Sequence, residues 1–376
     1  MLPSLTALHI DAPKRIHQEE EADEAYPGGS TKRIRSKDDG PLVDMLGRLP
    51  LEIRESVLVA LALDDCKGLN GICRTEHQFE DICNDPLFWQ SALRAKGWMP
   101  DWSEPSVPGG MTPKAYFEMV CTMKKAHQAA LLALRRDTTT IGMSAFMGCK
   151  SLALTHLPPN LTTIQYNAFR YCTSLALTHL PPHLTTIEYG AFEGCTSLAL
   201  TELPPALTTI EPYAFERCTS LALTHLPPHL TTIEISAFEG CTSLALMELT
   251  PNITTIEDRA FEGCTSLTLT QLPLHLTTIG SAAFFGCTSL ALRELPPHLT
   301  TIEISAFEGC TSLALRELPP NLTTIGSDAF AGCTALALTH LPPNIGYIGD
   351  HVFEGCDQLR GGAFEAAVLA INDSAF

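Results

Sequence analysis

The sequence predicts an α+β multidomain chain, a small all-α helical bundle followed by a long repeat solenoid. Three observations carry this. Phe146, Phe169, Phe192, Phe215, Phe238, Phe261, Phe284, Phe307, Phe330 and Phe353 recur every 23 residues without an insertion. Ten cysteines keep the same step three residues later, from Cys149 to Cys356. Ahead of them, residues 41–98 carry apolar residues at helical spacing instead.

Residues 1–40 are polar, with an acidic run EEEADE and a basic cluster KRIRSK, and are expected to form a flexible tail. The cluster reads as solvated linker, with a nuclear import signal as the alternative. In 41–98, Leu49-Pro50 opens a helix with proline in its first turn, and Ile53, Val57, Leu58 and Leu61 share one face. Asp64-Asp65 cap a second helix, Leu69, Ile72, Cys73, Phe79 and Ile82 continue the apolar face, and Asn84-Asp85-Pro86 breaks the chain before Leu87-Phe88-Trp89. Three or four helices in a compact bundle are expected. Residues 99–137 are a linker and capping helix, in which Thr112-Pro113 starts a helical stretch to about Arg136. Residues 138–361 are the solenoid of ten repeats, and 362–376 a short apolar helix capping its end.

The repeat consensus is LTTIxxxAFxGCTSLALTxLPPx. Its six or so buried side chains gain roughly 10 to 15 kcal/mol, against about 1 to 2 kcal/mol of backbone entropy per ordered residue. One copy cannot fold alone. Stacked copies can, because neighbours cover each other's faces and pair backbone groups at about 4.8 Å spacing. Within a coil, SLALTxL reads as a short strand, Pro-Pro as an extended turn, LTTI as a second extended piece, and xxxAFxGC as a tight helical or 3₁₀ turn. The glycine before most cysteines suits a positive φ.

The AFxGCxxL core with an Ile before it resembles the BspA-like leucine-rich repeats of 23-residue type, over residues 138–360. One departure is the strand, which reads LALTxLP where that family has LxxIxLP. Thr155 stands where an inward Ile is expected and Leu154 one place earlier, so either the strand is locally shifted or a leucine column faces outward. The shift is expected, since an exposed leucine stripe promotes association.

LPxEIxxxVLxxL, then DDxxxLxxICR, then DPLFW, resembles an F-box over some 45 residues, with Cys66, Gly68 and Gly71 departing from the pattern. That resemblance implies docking onto a Skp-type adaptor and cullin through Leu49, Pro50, Ile53, Val57, Leu58, Leu61 and Trp89. A plain helical cap is the bland alternative. Joined, the two resemblances imply an F-box substrate-receptor subunit of a cullin-RING ubiquitin ligase whose repeats hold an unidentified client protein. The alternatives are a surface or secreted BspA-like adhesin or binding module, and a non-ligase interaction scaffold.

Charge narrows the partners. With 24 basic and 42 acidic residues the net charge is −18, of which residues 138–360 hold 7 basic and 19 acidic, or −12. That surface repels nucleic acid and anionic membrane. No run approaches 18 uninterrupted apolar residues, and the N-terminus lacks the pattern of a signal peptide. Cytoplasm or nucleus is the expected location, in a host cell if the source is viral. No HExxH, GxSxG, GxGxxG or Walker loop is present, so no enzyme, cofactor or metal is expected. Cys66, Cys73, His77 and Cys83 are too irregularly spaced for a zinc site, and the repeat cysteines are expected buried and free.

Two sets of residues are candidate client contacts. His156, His179, Glu202, His225, Glu248, Arg293 and Arg316 vary along the strand, and Tyr166, Tyr189 and Tyr213 gather before the Ala-Phe turn. A merely polar strand face is the alternative. Pairing of His with Glu on adjacent coils would add a pH response. Paired threonines such as Thr162-Thr163 are similar to the hydroxyl faces of ice-binding solenoids, a view that leaves the F-box-like match unexplained.

Overall fold

A computed structural model of the chain describes residues 112–376 together with Ile82, Asn84, Asp85, Phe88, Trp89, Gln90 and Leu93. The tail at 1–40, the residues Leu49, Pro50, Ile53, Val57, Leu58 and Leu61, and the irregular set Cys66, Cys73, His77 and Cys83 lie outside the described residues. The chain divides into units 1–48 and 49–376, and everything below belongs to the second.

The Thr112 hydroxyl accepts the Ala115 N–H at 3.2 Å, and Pro113 opens α1 (Pro113–Thr122). The single stretch expected to Arg136 is two helices, because the backbone is extended at Met123 and Lys124 before α2 (Lys125–Ala133). Gln128 stabilises this break. Its Nε2 donates to Val120 O at 2.7 Å and Met123 O at 3.2 Å, carbonyls that the end of a helix leaves open. Tyr116, Phe117 and Val120 are fully buried, and the Trp89 ring lies 5.1 Å from Phe117. The Ala153 N–H meets Met119 Sδ at 3.3 Å, which ties α1 to the first coil.

Ten two-residue strands follow: β1 (Thr140–Ile141), β2 (Thr163–Ile164), β3 (Thr186–Ile187), β4 (Thr209–Ile210), β5 (Thr232–Ile233), β6 (Thr255–Ile256), β7 (Thr278–Ile279), β8 (Thr301–Ile302), β9 (Thr324–Ile325) and β10 (Tyr347–Ile348). They pair in parallel and in register, Thr140 opposite Thr163 and Ile141 opposite Ile164, so the repeats form a β-solenoid of nine 23-residue steps. The strand therefore forms in LTTI, not in SLALTxL as expected. In SLALTxLPP the two prolines have no N–H to donate, and the Ala N–H gives the segment a single bond to the coil before, as from Ala199 to Leu177 O at 3.2 Å. One bond per coil makes no ladder. The LTTI ladder is itself interrupted between β4 and β5 and between β7 and β8. Each gap precedes a coil with Glu-Ile-Ser ahead of Ala-Phe, and turn bonds such as Tyr213 N–H to Ile235 O at 2.9 Å cross it.

The xxxAFxGC segment alternates two kinds of bond. The N–H groups of Ala168, Arg170 and Cys172 close three-residue turns onto Gln165, Asn167 and Phe169 at 3.0 to 3.1 Å, whereas those of Asn167, Phe169 and Tyr171 reach the next coil at Tyr189, Ala191 and Glu193. This requires two left-handed residues per coil. The foreseen glycine is one, as at Gly240 with φ 69°. The other, directly before Ala-Phe, was not foreseen because it is rarely glycine: Asn167, Ser236, Arg259 and Ala282 all have φ of 51 to 55°. Ser236 adds a buried Oγ without a hydrogen-bond partner. Ser236→Gly is therefore expected to stabilise the chain by about 1 kcal/mol, read as a higher urea midpoint, and a lower midpoint contradicts this.

Inside the coils the ten phenylalanine rings stack with centroids 5.3 to 5.9 Å apart and planes within 11°. The ten repeat cysteines are free and buried. Each from Cys172 onward donates its thiol proton to the Phe carbonyl of the coil before, as Cys241 does to Phe215 O at 3.1 Å. The same carbonyl accepts the N–H of its own coil's cysteine, Cys218, at 3.1 Å, so both its acceptor sites are filled. Leu175 and Leu177 are both fully buried. No leucine column faces outward, and because this segment forms no strand the expected strand shift does not arise.

The C-terminal end is covered by a 3₁₀ turn (Asp357–Leu359) and α3 (Ala363–Leu369), which buries Phe364 and Val368. Phe364 sets its ring edge-on to Phe353, with centroids 5.4 Å apart. The carbonyls of Ser374 and Ala375 accept the His351 and Phe353 N–H groups at 2.7 Å, in the places an eleventh coil would take. Among the described residues no helix is long and apolar enough to cross a membrane.

Candidate functional site

Two exposed surfaces carry the residues that differ between coils. The first is the outer edge of the SLALTxLPP segment, termed the strand edge after the strand expected there although that segment forms none. His156, His179, Glu202, His225 and Glu248 are all exposed one coil apart, and Arg293 and Arg316, also exposed, stand one residue earlier in their coils. Inward leucines on either side hold this register: Leu177 and Leu180 are buried and His179 between them points out. Each histidine Nδ1 lies 2.9 to 3.0 Å from the hydroxyl of the preceding threonine, as in Thr178–His179, which fixes the ring. Among the described residues no ion pair joins a histidine to a glutamate of the next coil, so the expected His–Glu pairing is absent. The threonine takes the ring nitrogen instead. Between two coils, His179, Leu180, Pro182, Glu202, Leu203, Pro204 and Pro205 line a shallow depression of about 160 Å³.

The second surface lies ahead of Ala-Phe. Tyr166 and Tyr189 stack at 5.1 Å with planes 11° apart, and Tyr213 closes on Tyr189 at 5.0 Å. Tyr213 stands one residue later in its coil than the other two, and its φ of 60° accompanies that shift. Two carboxylate ladders run beside the tyrosines. Glu188, Glu211, Glu234 and Glu257 stand three residues before the Ala of Ala-Phe, and Glu193, Glu216, Glu239 and Glu262 follow the Phe. Glu188 Oε2 and Glu211 Oε2 accept the N–H groups of Tyr166 and Tyr189 at 3.0 and 2.9 Å. Burial, then the neighbouring carboxylates of the same ladder, push the Glu216, Glu234 and Glu262 carboxyls above their usual range.

Sequence reasoning missed one cluster here. Glu193 Oε1 accepts Arg170 Nη2 at 2.8 Å and the Tyr171 hydroxyl at 2.7 Å, and the Arg170 guanidinium lies 4.9 Å from the Tyr171 ring centre. The available signal was FRYC, where most coils have Phe-x-Gly-Cys and only the coil at Phe215 also departs, with Arg217. Tyr171 takes the left-handed position with φ 58°, and its ring covers Gly194 of the next coil so closely that a Cβ there would collide with it.

The other residues singled out in the sequence are held as follows. Trp89 is buried, with its ring packed on Phe88 and Phe117. The first threonine of most pairs spends its hydroxyl on the coil before, as Thr185 does on Thr162 O at 3.2 Å, which breaks up a regular hydroxyl array. Asn160, Asn252, Asn321 and Asn372, each in an N-x-Thr or N-x-Ser sequence, donate Nδ2 to a backbone carbonyl 24 residues earlier.

Comparison with known proteins adds a family. The model of the BspA type leucine rich repeat region matches residues 139–268 and 254–376. Among solved structures, a leucine rich cell surface protein from Faecalibacterium prausnitzii is 25% identical, with 59% of this chain and 75% of that one covered at a TM-score of 0.39. A leucine-rich repeat protein from Bacteroides ovatus is 21% identical, covering 59% and 81% at 0.36. The T. pallidum leucine rich repeat protein is 31% identical, covering 52% and 80% at 0.33. No curated protein matches the chain.

Proposed function

The chain belongs to the BspA type leucine-rich repeat family, and from that membership we propose that it is a binding module, a non-catalytic solenoid that holds a protein partner on side chains displayed outside its coils. One observation carries the reading. The buried positions repeat Ile, Ala-Phe, Cys and Leu from coil to coil, while the differences between coils concentrate at the exposed strand edge and ahead of Ala-Phe. A periodic framework of this kind is ordered before a partner arrives, so contact residues pay little further entropy on binding. The expected result is that a partner captured by the full chain is lost when His179, Glu202, His225 and Glu248 are changed together to serine, or when Tyr166 and Tyr189 are. Capture unchanged by both sets contradicts the proposal.

A second reading keeps residues 41–98 as an F-box-like hook on a Skp-type adaptor, with the solenoid holding the client of a ubiquitin ligase. Leu49-Pro50 followed by Asp85-Pro86-Leu87-Phe88-Trp89 supports it, and the family match does not extend to this segment. Purified adaptor is then expected to be retained by the full chain and released by Leu49→Ala with Pro50→Ala. No retention ends the ligase reading and leaves the binding module intact.

A further inference from the structure

We infer that the tyrosine surface of the first five coils is a docking site for a cationic segment whose basic residues alternate with aliphatic or aromatic ones. This names the partner chemistry of one face of the proposed binding module and rests on that reading.

The second position before Ala-Phe is apolar in five successive coils, as Met143, Tyr166, Tyr189, Pro212 and Ile235, and turns to Asp258 in the sixth. Met143 is 69% exposed, Tyr166 40% and Ile235 36%, with Tyr189 and Pro212 half-buried between them. An exposed apolar line on coils that bury their repeating Ile, Phe and Leu side chains is a candidate contact surface.

What borders the stripe selects the partner. The ladder beginning at Glu188 runs along one side, and the ladder beginning at Glu193 along the other, with Glu193 and Arg170 near enough to influence the Tyr189 hydroxyl. Residues 165–267 hold eleven carboxylates, three arginines and no lysine, a net charge of −8. The three arginines all sit by the second ladder, Arg170 on Glu193 at 2.8 Å, Arg217 by Glu216 at 3.4 Å and Arg259 by Glu262 at 3.8 Å. The first ladder has no ion pair of its own among the described residues, and its like charges repel from one coil to the next.

A further acceptor is uncommitted. The buried Asn167 Oδ1 has no hydrogen-bond partner, and together with Glu193 Oε2 it converges on the notch left by Gly190, which has no side chain. Glu193 already accepts from Arg170 and Tyr171, so Asn167 Oδ1 is the acceptor left for an incoming ammonium or guanidinium N–H. A partner that satisfies the whole surface lays an apolar centre line on the stripe and sends basic groups to both sides. Nucleic acid and anionic lipid are repelled by the same charges.

The test is fluorescence anisotropy of a labelled nine-residue peptide alternating arginine and isoleucine, titrated with the full chain. Binding is expected, weakened at least tenfold by Tyr166→Ser with Tyr189→Ser and by Glu211→Gln with Glu234→Gln. It is also expected to weaken on raising salt from about 50 to 500 mM. Glu294→Gln with Glu317→Gln, on the strand edge, is expected to leave it unchanged. Three results overturn the inference: equal binding of the peptide with serine in place of isoleucine, which marks charge attraction alone, equal weakening by the strand-edge pair, or a dimer that the tyrosine substitutions dissociate. If the peptide fails while strand-edge substitutions still release a captured partner, this inference falls and the binding-module reading stands.

Discussion

Raising the pH past 9 is expected to unfold the solenoid over a narrow range, with stability falling by up to about 14 kcal/mol per pH unit. The cause is the cysteine column. A thiol titrates near 9 in an unfolded chain, and burial in the coil core pushes all ten upward, to about 12 at Cys195 and Cys287 and about 11 at the more peripheral Cys356. Cys172, Cys218, Cys241, Cys264, Cys310 and Cys333 move in the same direction for the same reason, and Cys149 less so. Because the folded value lies above the unfolded one, the contribution is complete below pH 9 and is lost as the pH rises toward the folded value. Each thiol contributes about 1.4 kcal/mol per pH unit in that window, and total stabilities lie near 5 to 15 kcal/mol, so one unit is enough. The raised carboxyls of Glu216, Glu234 and Glu262 act in their own window, adding a little stability as the pH falls from neutrality. Urea midpoints measured from pH 7 to 10.5 check this. A curve flat to pH 10.5 contradicts it, and replacing four central cysteines by alanine is expected to remove about four-tenths of the slope.

Phe238→Ala is expected to destabilise the chain by about 3 to 5 kcal/mol. The Phe238 ring is fully buried between Phe215 and Phe261, at 5.6 and 5.7 Å, so truncation removes two stacked contacts and leaves a cavity in the middle of the array. In a structure held by nearest-neighbour terms the loss also uncouples the coils on either side. Amide exchange is then expected to speed up first in the coils next to residue 238, with Phe238→Leu recovering most of the loss. A cost below about 1.5 kcal/mol for the alanine variant contradicts a continuous ring stack.

Much of this architecture was legible in the text of the repeat. Phe169 and Cys172 recur too regularly to be anything but an inward spine, and the glycine before cysteine announced its left-handed turn. The sequence left open which way Leu154 faces, and it is the burial of Leu154 and Leu157 that turns His156 outward. What the sequence hid depends on partners 22 to 26 residues away. The strand settled at Thr163-Ile164 because that segment has N–H groups free to pair while Leu-Pro-Pro does not. The thiol of Cys172 found Phe146 O only once the coils were stacked. The second left-handed position escaped notice since Asn167, Ser236 and Arg259 share no side-chain chemistry, only a backbone demand. Arg170, Tyr171 and Glu193 come together across two coils, and each alone looks like ordinary turn decoration. The helical segment around Leu49 rests on sequence resemblance.

The most direct test of a buried framework that displays its binding chemistry outward is to change His179, Glu202, His225 and Glu248 together to serine and measure both the urea midpoint and partner capture on the same preparation. The framework account predicts a midpoint shifted by no more than about 0.5 kcal/mol for each substitution, with capture reduced if the strand edge is the contact face, or reduced instead by Tyr166→Ser with Tyr189→Ser if the stripe is. A large loss of stability from these exposed positions, or full capture by both variants, contradicts it.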